Sequence, residues 1–126
     1  VLMSRRLNTG YEDGKYSLVA GHVEDNESVT AAMVREAFEE AGIVIQQDAL
    51  SLGHVAHRRC DNGVIYYDFY FIAAMWSGSP SIKEPDKCDD LSCHDIDQLP
   101  NTTIGHVREA LNALHKRGAL LTELGW

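Results

Sequence analysis

The sequence predicts an α/β chain of the α+β type, in which a mixed β-sheet is sandwiched between helices in an α/β/α arrangement. Three observations predict this fold class. Strand-like and helix-like segments follow one another in the order strands, helix, strands, helix. Asp61-Asn62-Gly63 separates two strand-like runs, which is a strong hairpin signal. Two further segments carry apolar residues at helical spacing. Because the 126 residues contain neither repeats nor linker-like stretches, we expect one domain over residues 1–126.

Each predicted element has a local signal. Strands at 1–6 and 16–20 flank a loop at 8–15 that is rich in Gly, Asn and Asp. A polar loop at 21–27 leads into a helix over 28–41, which has Ser28 as its N-cap and ends at Gly42. The remaining predicted elements are strands at 43–45, 52–60, 64–76 and 91–96 and a helix at 103–117.

The beginning of the chain suggests a missing element. Val1 opens an apparent strand with no turn before it, so we expect an N-terminal strand to be absent ahead of it. An absent neighbour would leave unpaired backbone groups at a sheet edge, and such edges favour association between chains. The prediction therefore keeps a homodimer open.

Composition excludes several classes of function. The formal net charge is −8, which disfavours binding to duplex nucleic acid, since phosphate contacts need clustered Lys and Arg. No apolar run approaches the roughly 20 residues of a membrane span, so no membrane partner is expected. The three cysteines are too few for a disulfide framework and fit reduced thiols in a cytoplasmic protein. A small phosphate-bearing ligand stays compatible with the acidic chain, because a cation can bridge the two.

The helix at 28–41 concentrates carboxylates at one border of its apolar face. At about 100° per residue, Glu36 and Glu40 edge the stripe and Glu39 lies beside Glu36. Like charges at this spacing repel, and the C-terminal half of a helix disfavours negative charge. Either the acids form a solvated face, or a hard divalent cation such as Mg²⁺ binds their oxygens. The predicted apolar stripe consists of Val29, Met33, Val34, Ala37, Phe38 and Ala41.

The loop before this helix favours the cation. Gly21 is followed after five residues by Glu27 and after seven more by Arg35-Glu36-Ala37-x-Glu39-Glu40-x-Gly42-Ile43. This 23-residue pattern resembles the Nudix box at every fixed position, and the chain is identified as a member of the Nudix hydrolase family, MutT-like in its flanks. The resemblance implies a hydrolase of nucleoside diphosphates linked to another group.

The resemblance also implies roles for individual residues. Glu36, Glu39 and Glu40, with the carbonyl of Ala20, would hold Mg²⁺, with Mn²⁺ as an alternative. Arg35 would orient a glutamate during catalysis, and Gly21 and Glu27 would support the ligands. The general base is a box glutamate in some relatives and a carboxylate on a loop before a late strand in others. For the second option the candidates are Asp89 and Asp90.

Residues outside the box have two interpretations each. Arg5 and Arg6 would contact the substrate, as arginines here do in MutT-like relatives, or carry strand-surface charge. Asp68 interrupts an apolar strand, where it would contact a nucleobase or pair with an Arg. Asn101 would read a purine or cap the last helix. His54 and His57 are expected on a strand surface, and Cys88, Cys93 and His94 lack the second pair that zinc ligands usually show.

The substrate class stays open at this level. MutT-like flanks favour a (deoxy)nucleoside triphosphate or an oxidised nucleotide. ADP-ribose, another nucleotide sugar or a dinucleotide polyphosphate are the alternatives. A non-catalytic Nudix nucleotide-binding module is a further alternative, although such modules tend to lose the box glutamates. An isopentenyl diphosphate isomerase would need a dedicated cysteine and extra chain that the sequence does not contain.

Overall fold

The computed structural model describes residues 1–126 as two three-stranded sheets and two α-helices. The strands are β1 (Leu2–Arg6), β2 (Tyr16–Ser17), β3 (Leu50–Arg59), β4 (Ile65–Ala73), β5 (Cys88–Cys93) and β6 (Leu121–Leu124). The helices are α1 (Val29–Ala41) and α2 (Gly105–His115), and a 3₁₀ turn at Gln47–Ala49 precedes β3. The predicted fold class is confirmed. Neither helix combines the length and the apolar character that crossing a bilayer requires.

The first sheet lies between the two helices. Its strands are antiparallel in the order β2-β1-β5. Successive side chains of a strand point to opposite faces, so Leu2 and Met3 of β1 face different layers. Leu2 packs against the cluster that contains Ala37 and Ala41 of α1. Met3 is fully buried against α2, in a cluster with Val107. The α/β/α layering is therefore built around this sheet.

The second sheet is the mixed one, with the order β4-β3-β6. β3 and β4 form the predicted antiparallel hairpin. In its turn, Asn62 Oδ1 accepts from the Val64 N–H at 3.1 Å, and Gly63 has a left-handed φ of 82°. β6 runs parallel to β3 and was not predicted. The single mixed sheet of the prediction is thus divided into two smaller sheets.

Helix α1 begins and ends where the sequence indicates. The Ser28 hydroxyl accepts from the Ala31 N–H at 3.2 Å, and Gly42 adopts a left-handed φ of 68° that stops the helix. Its fully buried positions are Ala32, Ala37 and Ala41. The predicted apolar stripe was wrong for Phe38, whose surface is 59% exposed. Met33 and Val34 are partly buried and pack against the same cluster as Ala37 and Ala41, so the buried face of the helix lacks Phe38 but keeps these members of the predicted stripe.

Several predicted boundaries differ from the structure. The strand predicted at 16–20 is only two residues long, and the one at 43–45 is reduced to an isolated bridge between Val44 and Ser77. β5 begins at Cys88, three residues before the predicted start. His54 is not on the surface: it is fully buried, with its ring nitrogens 3.1 Å from Ala119 O and 3.0 Å from Thr122 Oγ1. The unpredicted β6 and the residues before it supply those partners.

Candidate active site

A cavity of about 640 Å³ opens beside α1, and charged side chains dominate its lining. The α1 glutamates form one wall, and residues from β1, from the loop after it and from the loop before β5 form the others. The charged and polar lining residues are Ser4, Arg6, Asn8, Thr9, His22, Glu24, Arg35, Glu36, Glu39, Glu40, Glu84 and Lys87. Five glutamates therefore share the cavity with three cationic side chains.

Arg35 donates hydrogen bonds to several carboxylates at the acidic wall. Its guanidinium donates to Glu27 Oε1 at 2.7 Å, to Glu36 Oε1 at 2.7 Å and to Glu39 Oε2 at 3.1 Å. It also donates to the carbonyl of His22 at 3.0 Å, which ties the loop to the helix. Hydrogen bonds from Glu27 and then Glu36 raise the pKa of Arg35, and the Arg35 bond in turn lowers the pKa of Glu27. Arg35 thus fixes the orientation of two of the predicted cation ligands.

Gly21 allows Glu36 to approach the backbone. A Cβ placed on Gly21 would overlap the Glu36 carboxylate, so no larger residue fits there without moving this carboxylate. The requirement is one of space, since Gly21 is not among the residues with positive φ. Its role at the start of the box is therefore to admit a carboxylate that Arg35 also holds.

Glu40 lies on the same wall but lacks an arginine partner. Its Oε2 accepts from the Ala20 N–H at 3.1 Å. Burial raises the pKa of Glu40 to about 7, and the negative charges of Glu36 and Glu84 add to the increase. The Ala20 hydrogen bond and Arg6 act in the opposite direction. The raised pKa of Glu40 thus reflects burial first, and the surrounding carboxylates second.

The donor set fits a hard divalent cation. Glu36, Glu39, Glu40 and Glu84 present carboxylate oxygens to one cavity, and Mg²⁺ prefers oxygen ligands. No three His, Cys, Asp or Glu side chains converge on a single point as they stand. Arg35 accounts for part of this, because it holds Glu36 and Glu39 by hydrogen bonds. A cation would therefore bind beside the guanidinium, which contacts one oxygen of each of these two carboxylates.

Glu84 and Lys87 are cavity residues that the sequence analysis did not identify. Both precede β5, and Lys87 Nζ lies 3.3 Å from Glu84 Oε1. The resemblance pointed to an acid on a loop before a late strand, but the strand was predicted to begin at Leu91. With β5 beginning at Cys88, the loop acid that lines the cavity is Glu84. The resemblance thus indicated the right kind of residue, but the predicted start of the strand led to Asp89 and Asp90 and not to Glu84.

Asp89 and Asp90 lie within β5 and do not line the cavity. Asp89 pairs with Arg5 at 2.7 Å. Asp90 accepts from the hydroxyls of Tyr16 at 2.7 Å and Ser92 at 2.8 Å, and these two bonds lower its pKa. Both carboxylates are engaged in the first sheet.

The two candidate arginines of β1 lie in different surroundings. Arg5 is engaged with Asp89 and is absent from the cavity lining. Arg6 lines the cavity, and its Nε donates to the Tyr11 carbonyl at 2.7 Å while a terminal nitrogen donates to Thr9 Oγ1 at 3.0 Å. These bonds hold Arg6 beside the acidic wall, where its positive charge acts to lower the pKa of Glu40.

Asp68 and Asn101 also lie outside the cavity lining. Asp68 is held by Arg58 on the neighbouring strand: the Arg58 Nε donates to one carboxylate oxygen, and a terminal nitrogen donates to the other at 3.2 Å. The pairing with an Arg was one of the two interpretations of Asp68. Asn101 is exposed in the turn that precedes α2. Of the predicted site residues, those of the box and Arg6 are brought together.

Comparisons with known proteins identify the fold and the family of the chain. A family model described as NUDIX domain matches residues 1–114. A MutT NUDIX hydrolase from Burkholderia pseudomallei is 30% identical, over 88% of this chain and 84% of that one, with a TM-score of 0.80. The MutT protein from Methanosarcina mazei Go1 is 18% identical over 92% and 83% of the two chains, with a TM-score of 0.78, which shows a shared fold. No curated protein matches the sequence.

Proposed function

The chain belongs to the NUDIX family and is a Nudix hydrolase, and from this premise we propose that it uses Mg²⁺ to cut the diphosphate bond of a nucleotide. The proposed substrate is a (deoxy)nucleoside triphosphate or an oxidised nucleotide. The observation that carries the proposal is the excess of glutamates over cationic side chains around one cavity. A diphosphate is itself anionic, so it enters such a cavity only with added positive charge.

Glu36, Glu39 and Glu40, with the Ala20 carbonyl, would hold the cation. Mn²⁺ is the expected substitute for Mg²⁺ at such oxygen ligands. A bound divalent cation neutralises charge on the diphosphate oxygens and lowers the pKa of a bound water. The protein's own contribution begins with Arg35, which orients Glu36 and Glu39 through its hydrogen bonds. Gly21 leaves room for Glu36, and Glu27 fixes Arg35.

Cationic side chains near the glutamates suit the phosphates of the substrate. Arg6 is positioned by Thr9 and Tyr11, and Lys87 lies beside Glu84 at the same cavity. Their placement supports contacts to phosphate oxygens that are not bound to the cation. Contacts to the rest of the substrate would need a change at the other predicted residues. Arg5 and Asp68 would have to leave their ion-pair partners, and Asn101 would have to approach the cavity.

The proton acceptor for the attacking water belongs to one of two groups. A box glutamate is our first choice, and Glu84 is the second, because it is the loop acid that lines the cavity. Glu84 replaces Asp89 and Asp90 in this role, since both of these are engaged in the first sheet.

The three free cysteines support a cytoplasmic location, where thiols stay reduced.

A panel of nucleotides with Mg²⁺ or Mn²⁺ tests the proposal. We expect release of phosphate or pyrophosphate from one class of nucleotide, and loss of release when the cation is removed. ADP-ribose, nucleotide sugars and dinucleotide polyphosphates belong in the panel as the alternative substrates. Binding of a nucleotide without turnover of any panel member would identify a non-catalytic module instead.

Hydrolysis in ¹⁸O-water identifies the bond that is cut. Attack of water on phosphorus must place the label on a phosphate product. Label on a ribose carbon would identify a glycosidic reaction and contradict the proposal.

Glu109→Gln, which changes an exposed glutamate of α2, serves as a matched control for substitutions of the box glutamates.

A further inference from the structure

The second sheet has one face that carries exposed apolar and aromatic side chains. The pairing register places Tyr67 beside His57, and Phe69 beside Val55, on neighbouring strands. On the other side of β3, Leu121 pairs with Val55. Since side chains alternate between the two faces, these residues share one face. We name it the outer sheet face and define it as Val55, His57, Arg59, Ile65, Tyr67, Phe69, Leu121, Glu123 and Trp126.

The two faces of this sheet differ in burial. On the inner face, His54 and Ala56 of β3 are fully buried. On the outer sheet face, Tyr67 and Trp126 are each 62% exposed. Ile65, Phe69 and Leu121 are exposed by 49%, 42% and 52%. Scattered exposed apolar residues are normal, but a contiguous exposed patch of this kind marks an interaction site.

The aromatic rings of the outer sheet face are already ordered. The His57 ring stacks on Tyr67 with centroids 4.5 Å apart and planes inclined by 4°. Trp126 packs on the same imidazole at 4.5 Å, and the Arg59 guanidinium lies 5.9 Å from the Trp126 ring centroid. The Trp126 indole N–H also donates to the His57 carbonyl at 3.3 Å. Side chains that are held in place lose little conformational entropy when a partner covers them.

We propose that the outer sheet face is the interface of a symmetric homodimer, with a second copy of this chain as its partner. Its five exposed apolar side chains present roughly 600 Å² of surface, given about 150–250 Å² for a large aromatic residue. A standard interface buries about 800 Å² per partner, so two such faces and their rims suffice for a stable pair. A two-fold dimer uses the same patch on both subunits, and one apolar patch per chain meets that condition.

Charge favours a second copy over other partners. The chain carries −8, so two copies repel each other least where the contact surface is itself close to neutral. The outer sheet face meets this requirement, because its Arg59 offsets its Glu123. A nucleic acid or an anionic membrane would need several clustered cations, and this face offers Arg59 and a histidine. Apolar contact between two neutral faces is the interaction that the surface supports.

Light scattering on the 126-residue chain tests the proposal. We expect the wild type to have twice the 14.0 kDa mass of one chain at micromolar concentration. Tyr67→Lys should give the mass of one chain, because a charge at the centre of an apolar interface must lose its hydration. Phe38→Lys is the matched control, since Phe38 is an aromatic residue of similar exposure, 59% against 62%, and lies on α1.

The control should keep the double mass. Both substitutions make the net charge less negative, so a general change in repulsion would strengthen association in both variants. A wild type that has the mass of one chain at about 100 μM would overturn the proposal, and so would a Tyr67→Lys variant that keeps the double mass.

Tryptophan fluorescence gives a second readout that does not depend on folding of the Tyr67 variant. The chain has two tryptophans, so Trp76→Phe leaves Trp126 as the sole indole. Dilution of this variant should shift the emission to longer wavelength as dimers dissociate and expose Trp126 to water. Emission that does not change while light scattering shows the mass falling from two chains to one would show that the outer sheet face is not the covered surface, and would contradict the proposal independently of activity.

Discussion

Two largely buried arginines bind carboxylates in this protein, and they differ in the number of carboxylates that they bind. Arg35 on the cavity wall lies within 3.2 Å of oxygens of Glu27, Glu36 and Glu39. Arg58 on β3 binds one carboxylate, that of Asp68. Both side chains are largely buried, at 22% and 14% exposure, and hydrogen bonds with carboxylates raise the pKa of each arginine.

The difference separates a structural pair from a candidate binding site. Around Arg58 one positive charge meets one negative charge, and the pair needs nothing further. Around Arg35 the acids outnumber the arginine, and Glu40 beside them has a pKa raised to about 7. Ion pairs alone are weak indicators of function, whereas an excess of one sign in a cavity indicates a ligand of the other sign.

The largest expected effect is on catalysis by Glu40. Glu40→Gln keeps the size of the side chain and removes one anionic ligand. We expect kcat to fall about 100-fold or more, the range for loss of one group that stabilises the transition state electrostatically. Steady-state hydrolysis at saturating Mg²⁺ measures it, with Glu109→Gln as the control. A Glu40→Gln variant with the wild-type rate would remove Glu40 from the site.

A methyl group at Gly21 should act through Glu36. Gly21→Ala places a Cβ where the Glu36 carboxylate lies, so this carboxylate must move away from Arg35. We expect activity to fall about 10- to 100-fold, as small displacements of catalytic groups do. Gly105→Ala is the matched control, because a Cβ there meets no atom within 4 Å. Equal activities of the two variants would show that the contact between Gly21 and Glu36 has no catalytic role.

The Arg58 pair should affect stability and not the chemistry. Asp68→Ala leaves the largely buried Arg58 guanidinium without its partner, which costs about 2 kcal/mol in the free energy of unfolding. Asp89→Ala breaks the more exposed pair with Arg5 and should cost clearly less. Urea unfolding of the three proteins measures both losses. The interpretation fails if the Asp89 variant is the less stable one.

Glu40 should make the cation-free protein less stable as pH rises. Its folded-state pKa of about 7 exceeds the unfolded value of 4.5. The stabilising contribution is therefore complete below pH 4.5 and is lost as pH rises through 7. We expect this loss to be on the order of 1 to 2 kcal/mol, and to be absent in Glu40→Gln. Thermal unfolding in a chelator between pH 5 and 8 compares the two proteins, and parallel pH profiles would contradict the assignment.

The sequence predicted most accurately the features that depend on residues close together in the chain. The bounds of α1 follow from Ser28 and Gly42, and the box follows from spacing within 23 residues. What it missed depends on contacts between distant segments. β6 pairs with β3, with Leu121 opposite Val55, and the segment from Ala119 to Thr122 supplies the polar partners of the buried His54. Similarly, Glu84 joins the cavity only because β5 begins at Cys88 and pairs with β1.

Partners of charged residues were predictable only as alternatives. Asp68 on a strand required a hydrogen-bonding partner, but nothing local distinguished a nucleobase from an arginine. In the hairpin, Asp68 lies directly opposite Ala56. Arg58 lies two positions further along the same strand and reaches the Asp68 carboxylate from there. Arg5 and Arg6 are adjacent in sequence and alternate in direction, so one turns to Asp89 and the other to the cavity.

Titration with Mn²⁺, followed by electron paramagnetic resonance, tests most directly whether the carboxylate excess around Arg35 is a cation site. Free Mn²⁺ gives a strong signal that is lost on binding, so binding is measured without substrate or turnover. We predict that wild type and Glu109→Gln bind with the same affinity, and that Glu40→Gln binds at least about 10-fold more weakly, a difference of about 1.4 kcal/mol. Equal Mn²⁺ affinity in all three proteins would contradict the account.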